Sequence, residues 1–541
     1  MATSSIQRIL ELRDASIPKD SLLEHLLPDS SVLDVTNIPR ECGLLSDDEI
    51  TITEHYSATQ LITQLAQGQL TAEQVIKAYL KRAGIAHQLT NCATEFLDKE
   101  ALDRAKYLDE EFKRRGGPIG PLHGLPISLK DMITMRGRRV SAGWIKWINR
   151  IAKDDALIVK ILYEAGAIFY VRTTEPQSLM HLECSSPVYG TTLNPFNRNL
   201  TSGGSTGGEG ALLALKASPM GIGTDIGGSI RSPAANNGVY GLRPTTFRIP
   251  LQGLMLAQIG RESIIAVLGP LARKREDINL FMKTVIDTEP WLRDPSLVPI
   301  PWRSISLNSK NLTIAVMWDD GIVHPHPPII RALHETVEHL KKSGIRVIDW
   351  EPIYHQKGWD LISALYHCNG AEEERSMMAE VNEQPLPLTD WIINQPNVKK
   401  RNWIEMNELI SERENYRKLY AQIWNERELF LNSSIDCLLA PVGPSAAPQH
   451  GTAKWWGYTS IWNLLDYPAV VFPVTTVDVV KDQVEIDYKP RNVLDNENYK
   501  LYISPESYAN APIGLQVICR RYNDEKVMKC VEIIEQAMGR E

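Results

Sequence analysis

The chain has 541 residues, 43% apolar and 23% charged, an ordinary globular balance and a length that by itself suggests three or four domains of about 150 residues each. Its 58 Lys and Arg against 66 Asp and Glu give a formal net charge of −8, so no basic surplus exists to neutralise phosphates and nucleic acid is not an expected partner. The longest apolar runs, at 467–474 and 513–519, fall short of the ~20 residues a membrane helix needs, and no membrane span is expected.

In chain order, Met1-Ala2-Thr3-Ser4-Ser5 lacks the basic-then-apolar pattern of a secretory signal. Residues 1–50 read as a polar lead-in, broken by Pro18, Pro28 and Pro39 and packed on the body. Ser57 and Thr71 are each followed by a glutamine three residues later, Gln60 and Gln74, the capping-box pattern that satisfies orphan N–H groups at a helix start. Two helices are predicted there, separated at Gly68, and the second carries Val75, Ile76, Tyr79, Leu80 and Ala83 on one core-facing stripe. A charged helix follows at 100–115. Gly117-Pro118 and Gly120-Pro121 then break the chain, and Leu125-Pro126-Ile127-Ser128-Leu129 reads as a short extended segment ending on Lys130.

A helix at 155–165, a stop at Gly166 and a strand at 167–171 make an α/β unit. A second such unit runs over 328–350, with Gly344 at the helix end. Buried strands are also predicted at 314–317, 435–439, 469–472 and 514–518, and a closing helix after Asp524. This alternation predicts an α/β fold with helices flanking a largely parallel or mixed sheet. No linker rich in Gly, Ser or Pro divides the chain and no period repeats, so one large domain over 51–541 is expected, with 359–427 a helical insertion on it.

The cysteines, Cys42, Cys92, Cys184, Cys368, Cys437, Cys519 and Cys530, form an odd set with no Cys-x-x-Cys pair and no histidine pair at ligand spacing. They read as free thiols in a reducing compartment, which points to the cytoplasm and to no metal site.

Glycines crowd into two runs between 203 and 241. The first is Gly203-Gly204-Ser205-Thr206-Gly207-Gly208-Glu209-Gly210, and the second is Gly221-Ile222-Gly223-Thr224-Asp225-Ile226-Gly227-Gly228-Ser229-Ile230-Arg231. That density costs backbone entropy and is expected where the main chain turns sharply or approaches a ligand closely. A nucleotide-phosphate loop requires a lysine after the glycines, and neither run has one. A dinucleotide fingerprint requires a third glycine where Ile226 stands. Gly203-Gly204-Ser205-Thr206-Gly207 does satisfy Gly-x-Ser-x-Gly, which would make Ser205 the nucleophile of an α/β-hydrolase. His355, His367 and His450 are available to such a site, none in a suggestive setting.

The remaining reading joins both serines to the lysine. A serine attacks only when its proton is removed, and a buried, neutral lysine can remove it. Lowering a lysine from ~10.4 to near 7 disfavours its charged form by about 4 to 5 kcal/mol. Lys130, after Ile127-Ser128-Leu129 at a strand end, is placed for such burial, and the Ser205 hydroxyl could relay a proton between Lys130 and Ser229. The backbone N–H groups of Ile226, Gly227, Gly228 and Ser229 would form a donor nest for an oxyanion.

These settings, Pro-Ile-Ser-Leu-Lys-Asp, Gly-Gly-Ser-Thr-Gly-Gly-Glu-Gly-Ala and Gly-Thr-Asp-Ile-Gly-Gly-Ser-Ile-Arg, resemble the amidase signature family, and within it the fungal acetamidases and general amidases. Leu89-Thr90-Asn91-Cys92-Ala93, Asn237-Gly238-Val239-Tyr240-Gly241-Leu242-Arg243-Pro244-Thr245, Asn463-Leu464-Leu465-Asp466-Tyr467-Pro468 and Ala511-Pro512-Ile513-Gly514-Leu515-Gln516 extend the likeness along most of the chain. The resemblance implies a single α/β/α domain on a twisted mixed sheet. It implies an amidohydrolase that converts a small monocarboxylic amide to the acid and ammonia or an amine, with no cofactor. Ser229 would be the acyl-forming nucleophile, Ser205 the bridging serine, and Lys130 the base that later protonates the leaving amine. Asp225 and Arg231 would hold the nucleophile loop, and Leu179, with Met180 and Leu182, would line the acyl pocket. Thr206 stands where many members have a second serine, so a local packing change with retained chemistry is expected. A homodimer is compatible with this reading. A glutamine-hydrolysing subunit of a transamidating complex is the alternative within the fold. Trp144, Trp147, Trp403, Trp455, Trp456 and Trp462 are candidates for shaping the substrate pocket.

Overall fold

The two hydroxyl–glutamine pairs begin helices as expected. Ser57 accepts from Gln60 N while the Gln60 side chain accepts from Ser57 N, and Thr71 and Gln74 repeat the exchange, opening helices Ala58–Ala66 and Ala72–Thr90. The computed structural model describes residues 2–256 and 260–540. In helix Ala72–Thr90 the stripe of Val75, Ile76, Tyr79, Leu80 and Ala83 is buried, and each large apolar side chain so placed contributes about 1.5–3 kcal/mol.

The strands are β1 (Ala93–Phe96), β2 (Pro126–Lys130), β3 (Ile168–Thr173), β4 (Ser185–Ser186), β5 (Gly190–Thr191), β6 (Met220–Asp225), β7 (Tyr240–Arg243), β8 (Val267–Ala272), β9 (Thr313–Val316), β10 (Arg346–Asp349), β11 (Cys437–Pro441), β12 (Ala469–Thr476) and β13 (Pro512–Ile518). Eleven of them form one sheet in the order β1-β3-β2-β6-β8-β7-β12-β13-β11-β9-β10, and β4 and β5 pair separately. The sheet is mixed: β3-β2-β6 and β11-β9-β10 run parallel within each group, and antiparallel pairs from β6 through β8, β7, β12 and β13 to β11 join them. Helices flank it, so the chain has the expected α/β class. Residues between β10 and β11 carry helices His355–Tyr366, Glu372–Glu380, Pro387–Ile393 and Trp403–Leu431.

Strands β6, β7 and β8 were not among the predicted elements, and the glycines of β6 explain why. Met220-Gly221-Ile222-Gly223-Thr224-Asp225 has the composition of a turn, yet it is buried throughout at the centre of the sheet. A Cβ on Gly221 would collide with Glu209 Oε2, and one on Gly223 with the Thr206 side chain. The missing side chains are the space that helix Gly207–Ala214 and the residue before it occupy, so the glycines serve close approach rather than a turn.

Two parallel neighbours then fix the site. Lys130 ends β2 and Asp225 ends β6, with Ser128 and Leu129 of β2 in register with Gly221 and Ile222 of β6. Both strands therefore deliver their carboxyl ends to the same edge, where clefts in α/β folds form.

Candidate active site

Lys130 is fully enclosed. Its Nζ lies 2.5 Å from Ser205 Oγ, 3.1 Å from Thr224 Oγ1 and 3.4 Å from Thr206 Oγ1, with no carboxylate in hydrogen-bond contact among the described residues. Burial pushes its pKa down, while the Glu175, Asp225 and Glu209 carboxyls pull the other way. Hydroxyl partners can serve a neutral amine as well as an ammonium, whereas a contacting carboxylate would hold the proton on nitrogen.

Ser205 sits before helix Gly207–Ala214, and the peptide bond joining it to Gly204 is cis. Thr206 N donates to Ser229 O at 3.1 Å, which ties the first glycine run to the second. Ser205 and Ser229 open on one cavity of about 150 Å³, with Met132, Leu179, Met180 and Ile226 among its lining. No hydrogen bond joins the two serine hydroxyls among the described residues; such contacts commonly tighten only when substrate is bound.

The loop carrying Ser229 is held from beneath by Asp225. Its Oδ1 accepts from Gly228 N at 2.9 Å, from Arg231 Nη2 at 3.0 Å and from Asn463 Nδ2 at 2.9 Å. Its Oδ2 accepts from Ile230 N at 3.1 Å and Arg231 Nε at 3.0 Å. Burial would raise the Asp225 pKa, but the Arg231 charge and these donors hold it below the ordinary carboxylate value. This corrects the expected donor nest. Gly228 N–H is spent on Asp225, leaving Ile226, Gly227 and Ser229 as the loop N–H groups without a partner among the described residues.

Two residues with no place in the sequence reading complete the clamp. Tyr366 OH donates to Ile226 O at 2.7 Å and Thr459 Oγ1 donates to Gly227 O at 2.6 Å. With the Ile226 carbonyl held on one side, the Gly227 N–H of the same peptide faces the other, while the Gly227 carbonyl shares its peptide with the Gly228 N–H bonded to Asp225. Gly228 has φ +130°, and a Cβ there would strike Thr459. Nothing in the spacing of Tyr366 or Thr459 relative to Ser229 announces these contacts. Asn463 and Gln516, which both bond Arg231, fall in segments quoted above only for their likeness to the family.

The residues expected to line the pocket divide. Leu179 and Met180 face the cavity shared by the two serines, whereas Leu182 lines a second cavity of about 350 Å³ with Trp455 and Asn236. Trp456 packs against Gly227 and Tyr366, Trp144 and Trp462 are enclosed, and Trp403 is 78% exposed. No histidine ring bonds Ser205 or Ser229 among the described residues: His450 pairs with Glu183 and His367 with Glu374. The Gly-x-Ser-x-Gly reading therefore lacks its base.

A model of the family described as Amidase matches residues 74–528. The acetamidase of Emericella nidulans is 40% identical over 531 residues, covering 97% of this chain and 96% of that one. The acetamidase of Aspergillus oryzae is 38% identical over 533 residues, 97% of each chain. A solved structure titled fatty acid amide hydrolase matches with a TM-score of 0.94 at 35% identity, over 99% of this chain and 95% of that one. A bacterial aryl acylamidase at 20% identity and TM-score 0.68, over 89% of this chain and 96% of that one, shares the fold.

Proposed function

The chain belongs to the amidase signature family and is an amide hydrolase, and on that footing we propose that it works through an acyl-enzyme carried on Ser229. The observation that carries this reading is the 2.5 Å approach of Lys130 Nζ to Ser205 Oγ at the wall of the cavity that also holds Ser229.

In the first half-reaction Ser229 Oγ attacks the amide carbon. Its proton passes to Ser205 Oγ as the Ser205 proton passes to neutral Lys130 Nζ. The carbonyl oxygen takes up the charge and meets the N–H groups of Ile226, Gly227 and Ser229; losing one such donor typically costs about 3 to 4 kcal/mol of barrier stabilisation. Collapse breaks the C–N bond while the ammonium of Lys130 returns its proton through Ser205 to the leaving nitrogen. Water then attacks the acyl-Ser229 ester over the same relay, releasing the acid and restoring neutral Lys130.

Relatives named acetamidase and a cavity of about 150 Å³ support a small acyl group, since a cavity near that volume accepts benzene. Seven free cysteines support a reducing, cytoplasmic setting.

Labelling with a fluorophosphonate followed by peptide mapping tests the assignment. Modification is expected on Ser229, lost in Ser229→Ala and slowed at least a hundredfold in Lys130→Ala. Modification of Ser205 instead would overturn it.

A further inference from the structure

The two carbonyl braces beneath the Ser229 loop are not equivalent. Tyr366 OH donates to Ile226 O at 2.7 Å, and Thr459 Oγ1 donates to Gly227 O at 2.6 Å. A trans peptide turns its N–H away from its C=O, so each brace sets the direction of the next residue's N–H. The peptide held by Thr459 ends in Gly228 N–H, which Asp225 Oδ1 takes at 2.9 Å. The peptide held by Tyr366 ends in Gly227 N–H, which no protein group bonds among the described residues. Ile226 and Ser229, on either side of it, line the catalytic cavity. Of the two braces, Tyr366 is therefore the one that aims a donor still available to substrate.

Tyr366 is itself held in place. It ends helix His355–Tyr366 and is fully enclosed. Its ring packs against Trp456 with centroids 5.9 Å apart, Arg261 Nη1 donates to Tyr366 O, and Ser263 Oγ donates to Leu365 O at 3.2 Å. A Cβ on Gly227 would fall 2.7 Å from the Tyr366 hydroxyl, so the contact also requires glycine there. Burial pushes the pKa of this hydroxyl well above its ordinary value, and it stays a donor. A carbonyl that accepts a hydrogen bond polarises its amide and makes the N–H on the far side a stronger donor.

We propose that Tyr366 is a positioning residue of the amidase reaction, which through Ile226 O aligns and strengthens the Gly227 N–H that meets the oxyanion. This rests on the reading of Ser229 as the acyl-bearing nucleophile. The helix that carries Tyr366 belongs to the insertion between β10 and β11, which gives that insertion a share in the chemistry. An oxyanion forms in acylation and again in deacylation, so the slower step feels the loss of the brace whichever it is.

The test sets Tyr366→Phe against Tyr416→Phe, with whichever of acetamide, propionamide and benzamide the enzyme turns over fastest. Tyr416 OH likewise donates to a backbone carbonyl, Ile353 O, at 2.7 Å and is 2% exposed, but Ile353 lines no part of the catalytic cavity. The kcat is taken per site titrated to completion with a fluorophosphonate, so unfolded material is not counted. Outright loss of an oxyanion donor typically costs about a hundred- to a thousandfold in kcat, and a donor kept but unbraced should cost roughly tenfold to a hundredfold. KM in Tyr366→Phe should stay within about twofold, the mark of an interaction made in the transition state alone. Both variants should lower the urea midpoint, since each orphans a buried carbonyl, whereas Tyr416→Phe should keep kcat within about twofold of the original. p-Aminophenylalanine in place of Tyr366, which retains a donor, should recover part of the rate. A kcat loss no greater in Tyr366→Phe than in Tyr416→Phe, or a loss that lies in KM, overturns the proposal alone. No turnover of any of these amides by the unaltered enzyme, with Ser229 unlabelled by the fluorophosphonate, overturns the acyl-enzyme reading along with it.

Discussion

Arg231 grips Asp225 with a two-pronged fork, Nε on Oδ2 and Nη2 on Oδ1, each at 3.0 Å, with neither side chain exposed. The same carboxylate holds Gly228 N and Ile230 N on either side of Ser229. Arg231→Met should therefore lower both stability and activity. An uncompensated buried carboxylate costs about 3–5 kcal/mol of stability, visible as a lower urea midpoint. Adding Asp225→Asn should restore much of the midpoint but not the activity, because the double variant still lacks the full clamp on the Ser229 loop.

The acid limb of kcat/KM should report loss of the proton from Lys130 and lie well below the ordinary lysine range, since burial disfavours the ammonium. Glu175 sits two residues past Thr173, the register partner of Lys130. Its Oε2 accepts from Met132 N at 3.0 Å, and its pKa is raised chiefly by burial. An ionised Glu175 would favour charged Lys130. Glu175→Gln never ionises, so its limb should move to lower pH; an unmoved limb would show that the two groups do not communicate.

Glu209 offers a stability test with the sign worked out. Burial pushes its pKa up to about 8 against a free value of 4.5, despite bonds from Ser128 and Thr173. Below 4.5 both folded and unfolded chains hold this proton, and between 4.5 and about 8 only the folded chain does. Its contribution to stability is therefore fully present in acid and is lost as pH rises, at up to about 1.4 kcal/mol per pH unit. Glu209→Gln should lack that slope, which chemical unfolding at several pH values will show.

The Thr206 side chain, with the methyl that a serine would lack, packs where Gly223 has no side chain. Thr206→Ser should keep the chemistry and lose about 1 kcal/mol of packing. Gly223→Ala should be worse, at about 1–3 kcal/mol, because the new methyl and the Thr206 side chain claim one space. Thermal melts of the two variants, with turnover measured alongside, check the order.

The helices around Ser57 and Thr71 and the strand ending on Lys130 are legible because their signals are local: a capping pair, an apolar stripe, a run bounded by Gly-Pro. Strand β6 is not legible, because its glycines answer to Glu209 and Thr206, whose positions exist only once the sheet is assembled. The same distinction runs through the site. Lys130, Ser205 and Ser229 stand in recognisable motifs, but whether Gly228 N–H points at substrate or at Asp225 depends on the fold of the loop. Tyr366 and Thr459 reach that loop from helices more than a hundred residues away, 140 and 232 positions downstream of their partners.

Arg231 is bonded to Asn463 and Gln516, 232 and 285 positions further along the chain. Closing loops of that length comes late in assembly. On the ribosome, Lys130, Ser205 and Ser229 emerge before Asn463 and Gln516, so the loop that bears Ser229 lacks this bracing until both follow. Hydrolytic power should arrive only once both are in place, and chains truncated before residue 516 should be inert.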